Sequence, residues 1–220
     1  MRSLVLKMFF LLTLIPIFLG CGGGGGGSSS GIRVLHGSID AAPYDLYSSS
    51  SDALLVRARF ASPTEYVNLV EEPQVVSLFQ AFSKQGALLS QNVEISGGTK
   101  LSLLVFGDGQ QIGRSAKIFV DAVPEEITAG RAAVRVIHAL NGAGAVNVRV
   151  GNESVSSGLV FGAASAYQEV AAGNATVRVE RTVDFQPAAS VNVTLEEGKP
   201  YTLFVTGEVD FLTLVRLLVD

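Results

Sequence analysis

Polar and apolar residues alternate through "IRVLH" (Ile32–His36), "AVRVIH" (Ala133–His138), "AVNVRV" (Ala145–Val150), "ATVRVE" (Ala175–Glu180) and "SVNVTL" (Ser190–Leu195). Side chains two residues apart share one face of an extended chain, so each segment predicts a β-strand with an apolar face. Continuous apolar runs, "LSLLVF" (Leu101–Phe106), "YTLFV" (Tyr201–Val205) and "FLTLVRLLV" (Phe211–Val219), are also of strand length. Turn-forming pairs separate these segments at Asp108-Gly109, Gly151-Asn152, Gly173-Asn174 and Glu197-Gly198. The stretch "VVSLFQAFSKQGALL" (Val75–Leu89) has a helical look, but its counterpart later in the chain, "ATVRVERT", alternates cleanly, so a strand is expected there. Short strands with no crossover helices predict an all-β fold, an immunoglobulin-like antiparallel β-sandwich, with a β-barrel as the alternative.

The pattern occurs twice. "IRVLHGSIDAAPYDLY" (Ile32–Tyr47) lies over "VRVIHALNGAGAVNVR" (Val134–Arg149) without a gap, with Arg33/Arg135, Val34/Val136, His36/His138 and Ala41/Ala143 identical. Further on, Phe60 pairs with Phe161, Tyr66 with Tyr167, Val76 with Val177, Asn92 with Asn192, Gly98 with Gly198, and Val120-Asp121 with Val219-Asp220. The offset drifts only from 102 to 99, as loop-length differences would produce. Two tandem sandwich modules are therefore expected, at residues 32–123 and 133–220, joined by a linker at 124–132.

Ahead of them, Arg2 and Lys7 introduce an apolar run from Met8 to Leu19. That run is shorter than the roughly 20 residues a spanning helix needs, so residues 1–20 read as a secretory signal rather than a retained transmembrane anchor. Phe18-Leu19-Gly20-Cys21 resembles the lipobox of bacterial lipoproteins, in which the cysteine sulfur takes a diacylglycerol and becomes the mature N-terminus. Cys21 is the only cysteine of the chain and the candidate lipidation site. Gly22–Gly27, Ser28–Ser30 and Gly31 then form a flexible tether with a taut reach of about 33–36 Å. No strand precedes this glycine run and no helix follows it, so it is not a phosphate loop. Gly22 is not the aspartate that retains many Gram-negative lipoproteins at the inner membrane, which favours the outer membrane.

Charge excludes one class of partner. The chain carries 16 basic and 20 acidic residues, and loss of Arg2 and Lys7 with the signal leaves a net −6 without a basic cluster, so nucleic acid is not an expected partner. The expected partners are the bilayer, through acylated Cys21, and an envelope protein or glycan.

"RVLHGSIDAAPYDLY", "VRVIHA" with "VNVRV", and "LVFGAASAYQEVAAGNATVRV" together resemble a secreted bacterial module, domain of unknown function 4397. That module typically reads V-R-V-x-H-A-S-P-D-A-P-x-V-D-V-Y-V, then F-G-x-x-S-x-Y, a P/A-A-G turn and L-x-x-G-x-x-Y-T. His36, Ser38, Asp40, Ala41, Asp45 and Tyr47 match the first part, and Gly37, Ile39 and Ala42 depart from it. Phe161, Gly162, Ser165, Tyr167, Ala172, Gly173, Gly198, Tyr201 and Thr202 match the remainder. The resemblance implies a β-sandwich, an exported location and often lipoprotein attachment, and it implies no known reaction.

The sharpest chemical cluster is His36, Asp40 and Asp45 at the end of the first strand. Imidazole and carboxylates on one loop suit a divalent metal, or a base and its orienter. The structural alternative has His36 bonding a carbonyl while the aspartates cap turns. Module two keeps His138 but has Asn141 and Asn147 near the aspartate positions, which preserves capping and loses ligand charge. No catalytic motif of the G-x-S-x-G or H-E-x-x-H type occurs. "GDGQQIG" (Gly107–Gly113) between two strand patterns reads as a hairpin loop. Asn152, Asn174 and Asn192 begin Asn-x-Ser/Thr triplets, a glycosylation signal that lapses in a bacterial lipoprotein. Tyr44, Tyr47, Tyr66, Tyr167 and Tyr201 read as strand and corner tyrosines rather than a sugar platform. The expected function is that of a non-enzymatic binding or structural module of the cell envelope, without cofactor. The alternatives are a metal-dependent protein using His36, Asp40 and Asp45, and a pure spacer.

Overall fold

Alternation becomes sheet throughout. The computed structural model describes residues 29–109 and 113–220, so the expected signal peptide, Cys21 and Gly22–Gly27 lie outside the described residues. Eight strands build the first module: β1 (Gly31–His36), β2 (Tyr44–Ser48), β3 (Ser51–Ala58), β4 (Val67–Asn68), β5 (Gln74–Gln80), β6 (Leu89–Val93), β7 (Lys100–Phe106) and β8 (Ser115–Val120). Nine build the second: β9 (Arg131–Asn141), β10 (Val146–Val150), β11 (Glu153–Leu159), β12 (Ala163–Ala164), β13 (Gln168–Ala171), β14 (Gly173–Arg181), β15 (Pro187–Leu195), β16 (Pro200–Glu208) and β17 (Leu212–Val219). The ambiguous stretch at Val75–Leu89 is strand only to Gln80. It then turns through Phe82, which takes a positive φ of 66°, into β6.

Each module is a sandwich of two sheets with the same strand order. In the first, β4-β1-β7-β8 faces β3-β2-β5-β6; in the second, β12-β9-β16-β17, with β13 also on β9, faces β11-β10-β14-β15. The pairing is antiparallel except at one place in each module. There β1 runs parallel to β7 (Gly31↔Lys100 to His36↔Val105) and β9 runs parallel to β16 (Pro200↔Ala133 to Glu208↔Asn141). Some sixty residues separate the first strand from its parallel partner; they cross to the opposite sheet and touch the first sheet's edge at β4, or at β12 and β13, a connection long enough to bring the strand back in the same direction.

Ile32, Val34, Leu101, Leu103 and Val105 point into the core of the first module, and Val134, Val136, Tyr201, Leu203 and Val205 into that of the second. The intervening residues on these strands are buried as well. Leu35, Leu104 and Phe106 meet Ile137, Ala139 and Phe204 in a third apolar cluster between the modules. That explains "LSLLVF": β7 is covered on both faces, as continuous apolar runs are. The molecule is a four-layer stack of sheets with two outer faces in solvent.

Arg33 and Arg135 occupy the same inner interface, each only 2% exposed. The guanidinium of Arg33 donates from Nε to Ser102 of its own module (2.8 Å) and from Nη2 to Thr202 of the other (2.9 Å). Arg135 repeats this with Thr202 (2.9 Å) and Ser102 (3.3 Å). Each arginine then pairs with the other module's terminal aspartate: Arg33 with Asp220 at 2.5 Å, and Arg135 with Asp121. Tyr66 donates to Asp121 (2.5 Å) and Tyr167 to Asp220 (2.6 Å). Burial pushes both phenols well above the ordinary tyrosine range, so they remain donors at any physiological pH. Lys117 donates to the Gly162 carbonyl (3.2 Å) and Arg216 to that of Ala61 (3.3 Å), again a matched pair. The interface thus has a local two-fold symmetry between copies, and Gly37 abuts its own counterpart Ala139. A Cβ on Gly37 would lie 2.5 Å from that of Ala139, so there is room for one methyl at the axis and not two.

Two consequences are measurable by denaturant unfolding. Arg135→Met strands the buried Asp121 charge and is expected to destabilise by about 3–5 kcal/mol, with Asp121→Asn in the same chain recovering part of the loss. Gly37→Ala is expected to destabilise by about 1–3 kcal/mol, and adding Ala139→Gly should restore most of it.

Candidate functional site

The two histidines occupy matching positions, His36 at the end of β1 and His138 three residues before the end of β9. His36, at the end of β1, is fully buried; its Nε2 donates to the Ala42 carbonyl (3.1 Å) and its Nδ1 accepts the Ser38 N–H (3.3 Å). His138, within β9, does the same with Gly144 (2.9 Å) and Leu140 (3.2 Å). Each ring therefore staples the loop that follows its strand and packs edge-on against aromatics: His36 on Tyr44 and Phe60, His138 on Phe161. With both nitrogens serving backbone groups, neither imidazole has a lone pair left for a metal or a substrate proton. Burial lowers the pKa of both rings.

The carboxylates of the sequence-level cluster go elsewhere. Asp40 accepts from the Gly109 N–H (3.0 Å) and Arg114 (3.2 Å), tying the β1–β2 loop to the β7–β8 hairpin, and the Gly109 bond chiefly lowers its pKa. Ser38 Oγ donates to its other oxygen at 3.3 Å. Asp45 takes a bidentate grip from Arg57 of β3 (2.6 and 2.9 Å) and accepts the Phe82 N–H (3.2 Å); Arg57 lowers its pKa most. Arg57 in turn lies 4.0 Å over the Phe82 ring. His36 faces the core while Asp45, next to buried Tyr44 on β2, faces outward, so the three residues do not converge. Among the described residues no group of three or more His, Cys, Asp or Glu side chains is placed to hold a metal. In module two, Asn147 accepts from the Gly158 N–H (2.8 Å) and Asn141 donates to Asp108 (2.9 Å).

The tyrosines divide among tasks. Tyr44 and Tyr201 are core residues, and the Tyr201 hydroxyl accepts from the Glu196 N–H (2.9 Å), a corner five residues upstream. Tyr66 and Tyr167 belong to the inter-module network. Tyr47 lies on the outer face of β2, beneath Lys84 and edge-on to Phe79.

Residue-by-residue reading passed over a concavity on the outer sheet of module two. A groove of about 780 Å³ runs over β10, β14 and β15, and Asn152, Asn174 and Asn192 all line it, with Thr176, Thr194 and Arg178. The three Asn-x-Ser/Thr triplets were its sequence trace. Alternation puts Asn174 and Asn192 on the outward face, where strand register brings them together (Asn174↔Thr194, Thr176↔Asn192), and Asn152 joins them from the β10–β11 turn.

A family model described as "Domain of unknown function (DUF4397)" matches residues 30–149 and again 132–220. No protein of curated function matches the chain. Among solved structures, the fimbrial anchor protein Mfa2 from Porphyromonas gingivalis is similar at 11% identity over 87% of this chain and 97% of that chain, with a TM-score of 0.26, too low to carry function across.

The histidines make a pH dependence. Because folding lowers their pKa, unfolded chains bind protons below about pH 6.5 that the native rings refuse. The stability they contribute is complete above that pH and is lost as pH falls through the lowered native values. The urea midpoint of the parent is expected to fall between pH 7 and pH 5. In the His36→Gln/His138→Gln double variant that fall should shrink, since the lowered carboxylates titrate below this window.

Proposed function

The chain belongs to the domain of unknown function 4397 family in two copies, and from that premise we infer that it is a non-enzymatic, lipid-anchored body of the bacterial cell envelope. The observation that carries the reading is the buried lock between Arg33, Arg135, Asp121 and Asp220, which turns two modules into one rigid block and leaves the outer sheets for contact. Apart from Asn92 and Asn192 on the outer sheets, the polar residues that repeat between modules are occupied in holding this block or in stapling loops. Both histidines are spent on backbone groups, and Ser38 donates its hydroxyl to Asp40 rather than to His36. That arrangement supports a binding or structural role over catalysis, and it gives the metal-dependent alternative nothing to stand on.

In this reading acylated Cys21 holds the chain in the bilayer, with the outer membrane favoured by Gly22. Because Ser30 is buried and β1 begins at Gly31, the expected tether shortens to the eight residues from Gly22 to Ser29, which would let the block stand up to about 26–29 Å away. Two acyl chains on the cysteine would make the anchoring stable, where a single chain gives only marginal residence. An envelope protein or glycan would meet the outer sheets, and nucleic acid is not a partner.

Metabolic labelling of cells with a palmitate analogue, followed by membrane fractionation, tests the anchor. Full-length protein should carry label and sediment with membranes, and Cys21→Ser should be unlabelled and released. An unlabelled parent, or a Cys21→Ser variant that stays in the membrane fraction, would sink the reading.

A further inference from the structure

The two outer sheets have diverged at equivalent positions. In module one Tyr47 of β2 stands opposite Ser77 of β5. In module two the same register places Arg149 of β10 opposite Arg178 of β14. Both arginines are exposed, and the rung continues to Ser154 on one side and Ser190 on the other. Like charges directly opposite on adjacent strands repel. Among the described residues neither arginine has a carboxylate within ion-pair distance. Arg149 donates to the Asn152 carbonyl at the groove's edge, which occupies one of its five N–H groups.

Arg178 is also a wall of the 780 Å³ groove. Within that groove Thr176 donates to Asn192 Oδ1 (2.9 Å) and Thr194 to Asn174 Oδ1 (2.7 Å). Each asparagine oxygen is thereby satisfied, while its amide N–H₂ remains a donor and each threonine oxygen keeps acceptor capacity. Glu153 is the one carboxylate in the lining, and Arg131 (2.5 Å) and the Ala171 N–H (2.8 Å) neutralise it. The groove therefore offers paired donors and acceptors suited to hydroxyl groups, and a positive end suited to an anion. It has no aromatic wall and little apolar surface to hold a greasy ligand.

We propose that this outer face of module two binds an acidic polysaccharide. The Arg149–Arg178 pair takes its carboxylate, sulfate or phosphate, and the Asn174/Thr194 and Thr176/Asn192 pairs take its hydroxyls. A planar guanidinium meets such oxyanions with two parallel hydrogen bonds. The chain as a whole carries a net charge of −4, so attraction of a polyanion has to arise at this local pair and not from the overall field. The proposal rests on the reading of the chain as a non-enzymatic binding body.

Affinity electrophoresis of the full-length protein through gels containing alginate, dextran sulfate, neutral dextran or polyglutamate tests it. Alginate or dextran sulfate should retard the parent, while neutral dextran, which lacks the anion, and polyglutamate, which lacks the hydroxyls, should not. Arg178→Ser, which installs the residue that module one carries, and Arg149→Gln should each weaken retardation roughly tenfold or more, without lowering the unfolding midpoint. Asn174→Ala should weaken it too. No retardation by either acidic polymer, equal retardation by dextran or by polyglutamate, or parent-like behaviour of both arginine variants would overturn the site. Reducing ends appearing in the alginate would overturn the non-enzymatic reading and leave the binding site standing, so the two failures are separable.

Discussion

Two arginines and two aspartates out of water set the architecture of this protein. Removing one such charge from its partner in a low-dielectric interior is far more costly than breaking a surface pair, so the modules are held in one arrangement. Ser102 and Thr202 each accept from both guanidinium groups and donate to a carboxylate oxygen, which Tyr66 or Tyr167 shares, while the other oxygen of each carboxylate faces an arginine. Buried ionic networks of this kind specify geometry more than they add stability. The apolar contacts of Leu35, Leu104, Ile137 and Phe204 around it supply burial without direction.

The local symmetry of that interface explains where the two copies remain alike. A residue at the interface faces its own counterpart, or its counterpart's partner, so a change in one copy needs an answer in the other. Gly37 and Ala139 show the rule at its tightest, since their different sizes share a space for one methyl. The outer sheets face solvent and carry no such constraint. One bears Tyr47, Phe79 and Arg57 stacked with Phe82; the other bears opposed arginines and a file of asparagine and threonine. A rigid block with unlike faces is what a duplicated module becomes when only its seam must match.

The strands, the turns and the duplication were legible because period two and glycine-marked turns are local properties. The histidine staples were half legible: a histidine at a strand end with an aspartate in reach reads equally as ligand or as loop clamp. Only the paths of the Ser38 N–H and the Ala42 carbonyl distinguish the two. Asp40 and Asp45 looked like partners because they are five residues apart, yet alternation and the turn between them send one to Arg114 and the other to Arg57. The groove left only the three triplets as its trace, because Asn174 and Asn192 meet through the register of β14 and β15 and Asn152 through the β10–β11 turn, which spacing along the chain does not express.

By itself the sequence determined an all-β chain in two similar halves, because side-chain alternation and turn chemistry act within a few residues. Only the tertiary structure decided that Arg33 and Arg135 are interior residues. In a lone sheet their alternation would place them in water, and it is the second module, about a hundred residues away, that covers them and brings Asp220 and Asp121 to meet their charge. It also decided the parallel pairing of β1 with β7 and of β9 with β16, since direction in a sheet depends on the whole path between two strands. Local pattern sets which face of a strand is apolar; what lies opposite that face is set by a contact between parts of the chain that carry no mark of each other.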